Sequence, residues 1–318
     1  MNTAVELGGS SKKRKKFRSV QTQYIGELFV LLAPALLSTL VFGYLPMISN
    51  YMAFLDYRLT NGFMGLGSPF VGFKNFDFLA QLWFYRIVGR TFLYSICGIA
   101  VSYPSALLLA LCFNELRSLR FKKIVQTISY VPHFVSWVTV ASIVYMFLTV
   151  EYEGLFNNLR QALGFAGRIS FMQKADYFLP LLVVSSIWKN LGWSTILYMS
   201  AMSSIEEQLY EAAMVDGASR LQRALFITLP GLVPIFCIQL IFSMGNLFNS
   251  SFDQVFNLQN DVIQADIMTL NLYTYFYGIV NQRFAHAAAV GLFNGIISVI
   301  LICSTNAVTR RLSDTGIF

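Results

Sequence analysis

Residues 28–50 read LFVLLAPALLSTLVFGYLPMISN, a stretch without Asp, Glu, Lys or Arg. A helix needs about 20 predominantly apolar residues to cross the hydrocarbon core of a membrane. Similar runs recur along the rest of the chain and are separated by segments richer in charge. The predicted spans are residues 28–50, 91–113, 124–148, 178–202, 232–251 and 286–308.

The composition supports a membrane protein. Hydrophobic residues make up 56% of the chain and charged residues 12%, with a mean hydropathy of +0.57. Soluble globular proteins typically contain fewer hydrophobic and more charged residues than this chain. The net charge of +7 could indicate nucleic acid, but the basic residues are concentrated between apolar runs, as the positive-inside rule expects. We therefore expect contact with anionic lipid and no nucleic-acid partner.

The basic residues also predict the orientation. Lys and Arg cluster in residues 12–18, in residues 117–123 and at 310–311. Placing these clusters on the cytoplasmic side gives an all-α integral membrane protein with six transmembrane helices and both termini cytoplasmic. The predicted organisation is a basic N-terminal segment (1–27), a transmembrane domain (28–308) and a cytoplasmic tail (309–318).

The connection between the fourth and fifth predicted spans is the most informative segment. Residues 203–231 read SSIEEQLYEAAMVDGASRLQRALFITLPG. Ser203 or Ser204 is expected to cap a helix with an acidic first turn. Gly217 is expected to reverse the chain through left-handed backbone angles. A second helix over residues 218–228 would then end before Pro230.

The spacing of this segment resembles the EAA loop of permeases in binding-protein-dependent ABC importers. A Glu-Ala-Ala triplet is followed, after three residues, by a glycine. After nine more residues comes an Ile-x-Leu-Pro run. The matching positions, with the aspartate before the glycine, are Glu211, Ala212, Ala213, Asp216, Gly217, Ile227, Leu229 and Pro230. The resemblance implies a coupling helix that docks on an ATPase, whereas the plain alternative is a connector without a partner.

The resemblance also implies the partners, the substrate class and the location of the chain. It predicts a nucleotide-binding ATPase dimer that binds ATP and Mg²⁺, a second, different permease, an extracytoplasmic solute-binding protein and a carbohydrate substrate, in the bacterial cytoplasmic membrane. This chain has no G-x-x-x-x-G-K-[ST] phosphate loop of its own. We expect it to bind no cofactor and to hydrolyse no ATP.

Two weaker resemblances point to the carbohydrate branch of this family. Residues 70–76, FVGFKNF, are similar to the F-x-G-x-x-N-F segment of carbohydrate-type permeases, although an interfacial turn would also explain them. Residues 289–313 are similar to permeases for oligosaccharides and polysaccharide fragments.

Polar residues inside the apolar runs are candidates for the substrate path, because polar groups exposed to lipid cost free energy. Amides and hydroxyls suit sugar hydroxyl groups, and Lys189 would favour an acidic sugar such as a uronate. Helix-to-helix hydrogen bonds or a structural pairing of Lys189 are the alternatives. The candidates are Trp188, Lys189, Asn190, Trp193, Gln239, Phe242, Ser243, Asn246, Asn249 and Asn294, with Trp137 as a weaker one.

Two other functions fit an apolar chain. An ion-gradient carrier would normally show intramembrane acids or paired broken spans, and no Asp or Glu lies in the middle of a predicted span. A membrane enzyme would need acids or histidines clustered at one depth, and His133 and His286 are far apart in sequence. We expect no catalytic residue and no metal site.

Overall fold

The computed structural model describes residues 25, 27–58, 60, 65, 67–151, 154–249 and 251–313. These residues form helices and loops, with one isolated antiparallel bridge between Leu55 and Phe70. The helices, in chain order, are α1 (Glu27–Phe54), α2 (Leu82–Asn114), α3 (Leu119–Tyr130), α4 (Trp137–Leu148), α5 (Leu155–Ala162), α6 (Phe178–Met202), α7 (Glu207–Val215), α8 (Arg220–Gly245), α9 (Phe252–Leu258), α10 (Leu270–Tyr273) and α11 (Phe284–Ser313). A further helical turn, Gln264–Ile267, lies between α9 and α10, and short 3₁₀ and π-helical segments lie between several of the helices.

Two clusters of buried side chains hold α2 and α6 together near their opposite ends. Phe84 and Leu182 belong to a large cluster that also includes residues of the segments around α9 and α10. Ala106 and Tyr198 belong to a smaller cluster with residues of α8. With 33 residues and a rise of about 1.5 Å per residue, α2 is roughly 50 Å long. The two clusters therefore mark two distant ends of one bundle.

Helix α1 lies on the outside of this bundle. None of the residues in its most apolar window is buried, and Phe42 is 79% exposed. Its C-terminal half packs against α11. An apolar helix that is exposed in the isolated chain fits lipid or another membrane subunit.

Fewer helices than the six predicted spans meet a length and hydropathy criterion for crossing a membrane. Within the described residues, four helices are long and apolar enough to cross a membrane, namely α1, α2, α8 and α11, and the bent pair formed by Leu119–Phe134 and α4 adds a fifth when it is counted as one span. Helix α6 has the predicted bounds of the fourth span. It falls outside this group, and its middle carries Trp188, Lys189 and Asn190.

The third predicted span was wrong as one continuous helix. The segment Leu119–Phe134 and helix α4 are bent by 98° relative to each other. Pro132 lies in a 3₁₀ turn that ends the first helix. The side chain of Ser136 then caps α4 by accepting the Thr139 amide at 3.2 Å. A proline and a new N-cap within five positions break the helical ladder and restart it.

Several predicted boundaries also moved. Helix α2 begins nine residues before the predicted second span, at Leu82, and α8 ends at Gly245, before the predicted end at 251. Most of the predicted basic N-terminal segment lies outside the described residues. At the other terminus, the predicted tail begins inside α11, which continues to Ser313.

Candidate coupling segment and transport cavity

Ser203 and Ser204 close α6 and do not cap α7. Their hydroxyls donate to the carbonyls of Ser200 and Ala201, each at 2.7 Å. The N-cap of α7 is Glu206, without a side-chain capping bond. The predicted serine cap was therefore wrong, because serine hydroxyls compete for backbone carbonyls in the preceding turn.

Gly217 reverses the chain after α7, as predicted. Its φ is +76°, in the left-handed region that glycine occupies without a steric penalty. The Gly217 amide donates to the Met214 carbonyl at 3.1 Å, and the Ala218 amide to the Ala213 carbonyl at 2.8 Å. These two bonds form a Schellman motif, which satisfies carbonyls that the end of a helix would leave unpaired.

The prediction that the second helix, over residues 218–228, ends before Pro230 was wrong. A helix begins after Ser219, passes through a π-helical turn at Ala224–Thr228 and continues to Gly245. Pro230 lies directly after the π-helical turn, in the first turn of the final α-helical stretch, and does not end the helix. Ile227, Leu229 and Pro230 are thus part of α8 and lie outside the exposed turn.

Helix α7 is fixed against α8 by a hydrogen bond. The Tyr210 hydroxyl lies 2.9 Å from Thr228 Oγ1, and Thr228 is buried. Ser219 starts α8 with a capping box, since its side chain accepts the Gln222 amide while the Gln222 side chain accepts the Ser219 amide. The orientation of the segment is therefore set by α8, which runs into the membrane-spanning region.

The far side of this segment is exposed. Glu211, Ala212 and Asp216 are all exposed, and Ala213 is half-buried. Val215, next to the turn, is 88% exposed. A small, partly apolar surface with carboxylates around it is typical of a docking site for another protein.

Behind the exposed segment is a cavity of about 530 Å³ between the end of α2, the end of α6 and the start of α8. Glu115 and Arg220 form an ion pair across it at 3.4 Å, with both side chains about half exposed. An exposed pair of this kind contributes at most about 1 kcal/mol. Its position nevertheless links the α2–α3 connection to the segment that carries α7.

Lys189 lies at the break between α3 and α4. Its ammonium donates to the carbonyl of His133 at 2.6 Å and to that of Val135 at 2.5 Å. It also lies 5.6 Å from the centre of the Trp137 ring, and its residue is 7% exposed. This arrangement is the structural pairing that the sequence left open as an alternative to a substrate contact.

Two residues near Lys189 on α6 also contact the break between α3 and α4. Asn190 Oδ1 lies 3.1 Å from His133 Nδ1, and the Trp193 ring stacks on the His133 ring at 4.5 Å. Trp188 points elsewhere, into a largely apolar recess beside α4. The four candidates of the fourth predicted span are therefore divided between two sites.

The candidates of the fifth and sixth predicted spans form three separate contacts. Ser243 forms a short hydrogen bond with the Tyr103 hydroxyl, which also approaches the Gln239 carbonyl at 3.2 Å. Asn294 donates to Asn249 Oδ1 at 2.7 Å. Asn246 bonds back to the carbonyl of Phe242. These side chains thus do not form a single polar face.

A cavity of about 310 Å³ lies among α2, α4, α6 and the segment after α8. Asn190 and Trp137 line it, and the other polar and aromatic lining residues were not selected from the sequence. They include Tyr94, Ser95, Ser102, Tyr103, Ser186 and Gln254. The residues from α2 recur at intervals of four, as Tyr94, Gly98 and Ser102 do, and this periodicity was the available signal.

These observations define a class of protein. It is a helical membrane protein with a polar cavity among its helices and, at one end, an exposed helical segment shaped for a partner.

Known proteins of similar sequence or structure support this class. The chain is 38% identical over 292 residues to Protein LplB of Bacillus subtilis (strain 168), covering 92% of this chain and 91% of that protein. It is 35% identical over 316 residues to the polygalacturonan/rhamnogalacturonan transport system permease protein YteP of the same strain, covering 99% and 96%. A crystal structure of a bacterial ABC transporter involved in the import of the acidic polysaccharide alginate includes a chain with 32% identity and a TM-score of 0.83, covering 94% of this chain and 99% of that one.

Residues 98–314 match the family of binding-protein-dependent transport system inner membrane components, and the chain belongs to this family. It is therefore a non-catalytic, multi-pass permease subunit of the inner membrane. This membership confirms the resemblance seen in residues 203–231 and favours binding-protein-dependent transport over an ion-driven carrier or a membrane enzyme.

Proposed function

We propose that this chain is one permease subunit of an ATP-driven ABC importer for oligosaccharides released from an acidic polysaccharide. The exposed α7 segment with its glycine turn is the observation that carries the ATP-driven part. Its surface faces away from the bundle, while the hydrogen bond between Tyr210 and Thr228 fixes its other side to α8. Motion of a docked ATPase would therefore be transmitted directly to a helix that crosses the membrane.

The proposed orientation places α7 and both termini in the cytoplasm, where ATP is available. Counting α6 and the bent pair of α3 and α4 as spans gives the six transmembrane helices expected from the sequence. The basic residues of 117–123, next to the cavity behind α7, then lie on the cytoplasmic side. The N-terminal end of α2 and the segments around α9 and α10 lie on the outer side.

The proposed partners are an ATPase dimer carrying ATP and Mg²⁺, a second and different permease, and an extracytoplasmic solute-binding protein. The family description itself specifies dependence on a binding protein. A further solved structure similar to this chain, at 31% identity and a TM-score of 0.83, is the alginate ABC transporter in complex with an alginate pentasaccharide-bound periplasmic protein. The exposed apolar helix α1 offers a surface for lipid or for the second permease.

Acidic oligosaccharides are supported as substrates by the more similar relatives whose names state a substrate, whereas relatives at 28% identity are named for arabinooligosaccharides and lactose. YteP is a permease for polygalacturonan/rhamnogalacturonan, and the similar solved structures concern alginate. Within the chain, we propose that the 310 Å³ cavity forms part of the path. Its tyrosines, serines and Asn190 can pair with sugar hydroxyls, while Trp137 can cover an apolar sugar face.

In the proposed mechanism, ATP closes the ATPase dimer, α7 moves with it, and α8 carries the movement into the bundle. The cavity then opens outward to accept sugar from the binding protein, and it opens inward after hydrolysis. A ligand or nucleotide can shift such an equilibrium only by binding one state more tightly than the other.

The experiment is reconstitution of the complete importer in proteoliposomes with its binding protein. Stimulated ATPase activity and uptake are measured with tetragalacturonate and with its fully methyl-esterified, uncharged form. We expect stimulation and uptake with the acid and a much weaker response to the ester. Equal or better transport of the neutral form would reject an acidic substrate, and uptake that persists without ATP would reject the ATP-driven importer.

A further inference from the structure

A larger cavity, of about 950 Å³, lies at the end of the bundle opposite α7. It is formed by the first turns of α2, the segments around α10 and the start of α11. The length of α2, roughly 50 Å, separates it from the cavity behind the coupling segment. In the proposed orientation it therefore opens on the side where the binding protein delivers substrate.

One wall of this cavity is a row of aromatic rings. Trp83 and Tyr273 have ring centres 5.2 Å apart, and Tyr273 stacks on Tyr277 at 4.7 Å. The Tyr273 hydroxyl bonds to His286 Nε2 at 2.7 Å, which fixes the central ring. Burial raises the pKa of Tyr273 to about 12. Such a row can cover the apolar faces of one or two sugar rings.

Three arginines share the same cavity. Arg90 is occupied, because its guanidinium donates to the carbonyls of Ala265 and Met268 at 3.2 and 3.4 Å. Arg86, one turn earlier on α2, and Arg283, before α11, are exposed and line the cavity. Among the residues that the structure describes, neither of these two guanidiniums has a hydrogen-bond or ion-pair partner.

The cavity also contains acids. Asp77 Oδ1 lies 4.0 Å from His286 Nδ1, and Asp266 lines the cavity next to Ala265, whose carbonyl accepts a hydrogen bond from Arg90. The cavity lining therefore includes three arginines and two aspartates, and His286 lies beside Asp77. The positive groups available to a ligand are Arg86 and Arg283.

We propose that this cavity is an outer binding site for a carboxylate-bearing sugar, with the ring on the Trp83–Tyr273–Tyr277 wall and the carboxylate on Arg86 and Arg283. Guanidinium groups bind carboxylates through paired, charge-assisted hydrogen bonds, and the volume suits a sugar unit. The inference rests on the proposed function, since it assigns the place where an acidic substrate is recognised before it enters the helices. A docked protein surface would not need a concave aromatic wall next to the free cations.

The test uses the complete importer with the variants Arg86→Gln, Arg283→Gln and the double variant. Lys74→Gln is the matched control, because Lys74 is an exposed cation near the same end that lines a different recess. Uptake of tetragalacturonate and of its methyl ester is measured at saturating binding protein, and the affinity of the binding protein for the importer is measured separately. Loss of a charge-assisted contact should raise the half-saturating tetragalacturonate concentration about tenfold, while the ester and the control are unchanged.

A second variant, Tyr277→Leu, removes the end of the aromatic wall at an exposed position. It should weaken uptake of the acid and the ester alike, which a lost charge does not do. Unchanged acid uptake in the arginine variants would overturn the site while leaving the importer intact. Weaker binding-protein affinity with unchanged half-saturation would also overturn it, in favour of a docking surface. If wild-type importer takes up no acidic sugar, the proposed substrate itself fails.

Discussion

Gly217 has backbone angles that other residues adopt only at a cost. Its φ is +76°, and a Cβ at this position would have open space around it. A substitution therefore changes the backbone preference and creates no clash. The cost of a left-handed conformation for an L-residue is about 1–2 kcal/mol. At the tip of an exposed segment, this cost would act on the local turn more than on the whole bundle.

We predict that Gly217→Ala lowers stimulated ATPase activity and uptake several-fold while the subunit remains assembled in the membrane. Gly164→Ala is the matched control, because Gly164 also has a positive φ, of +87°, with open space for a Cβ, and follows α5. The two variants should show similar thermal stability, and only Gly217→Ala should impair coupling. Equal coupling in both would show that the turn does not transmit motion.

The turn at Gly217 could be predicted from the sequence, whereas the N-cap at Ser219 was missed. Both outcomes can be explained at the level of single residues. A glycine after a short helix is a local signal that needs no tertiary information. The Ser219–Gln222 capping box was equally local, but the second helix was expected to start at 218, so its cap was not sought. The partners of Lys189 are carbonyls more than 50 positions away, and such pairing cannot be read from local sequence.

At the scale of elements, the break between α3 and α4 is held by one face of α6. Lys189, Asn190 and Trp193 all contact the residues of this break. The bend therefore has specific partners on a neighbouring helix, and its stability depends on them.

We predict that Lys189→Met destabilises the folded subunit. The methionine keeps the apolar stem but leaves the His133 and Val135 carbonyls without their donor, and each buried unpaired group costs about 1–3 kcal/mol. Lys174→Met, at an exposed lysine before α6, is the control. Thermal unfolding of the purified complex is the measurement. Unchanged stability with selective loss of acidic-sugar uptake would instead make Lys189 a substrate contact.

Gly192 sets how closely α6 approaches α3. A Cβ at this position would lie 2.1 Å from the Ser129 carbonyl oxygen, which is backbone and cannot move alone. We predict that Gly192→Ala costs about 1–3 kcal/mol through overpacking and lowers the thermal stability of the complex.

The control is Gly291→Ala, within α11, where a Cβ meets nothing within 4 Å. This change should be neutral or slightly stabilising, because alanine favours helix over glycine. If both glycine variants unfolded at the wild-type temperature, the tight contact between α6 and α3 would be refuted.

Element boundaries show what hydropathy can and cannot locate. The bounds of α6 were predicted from its apolar ends, although its polar middle lowers its hydropathy. The continuity of α8 was missed because Pro230 can either end a helix or occupy its first turn. The π-helical turn before it, Ala224–Thr228, accommodates the proline without a break.

At the scale of the molecule, the family could be predicted from residues 203–231 together with the long apolar runs. The cavities could not, because their walls combine residues from helices far apart in sequence. The proposed coupling of ATP hydrolysis to transport depends on one surface of the molecule. The exposed side of α7 must bind the ATPase, and the opposite end of the bundle must not.

The most direct measurement is photocrosslinking in native membranes from a photoreactive residue placed at Val215. The matched control places it at Val262, which is also highly exposed but lies beyond α9 at the opposite end of the bundle. We predict that the probe at 215 forms a covalent adduct with the nucleotide-binding subunit and that the probe at 262 does not. No such adduct from 215, or an equal adduct from 262, would contradict the assignment of α7 as the coupling element.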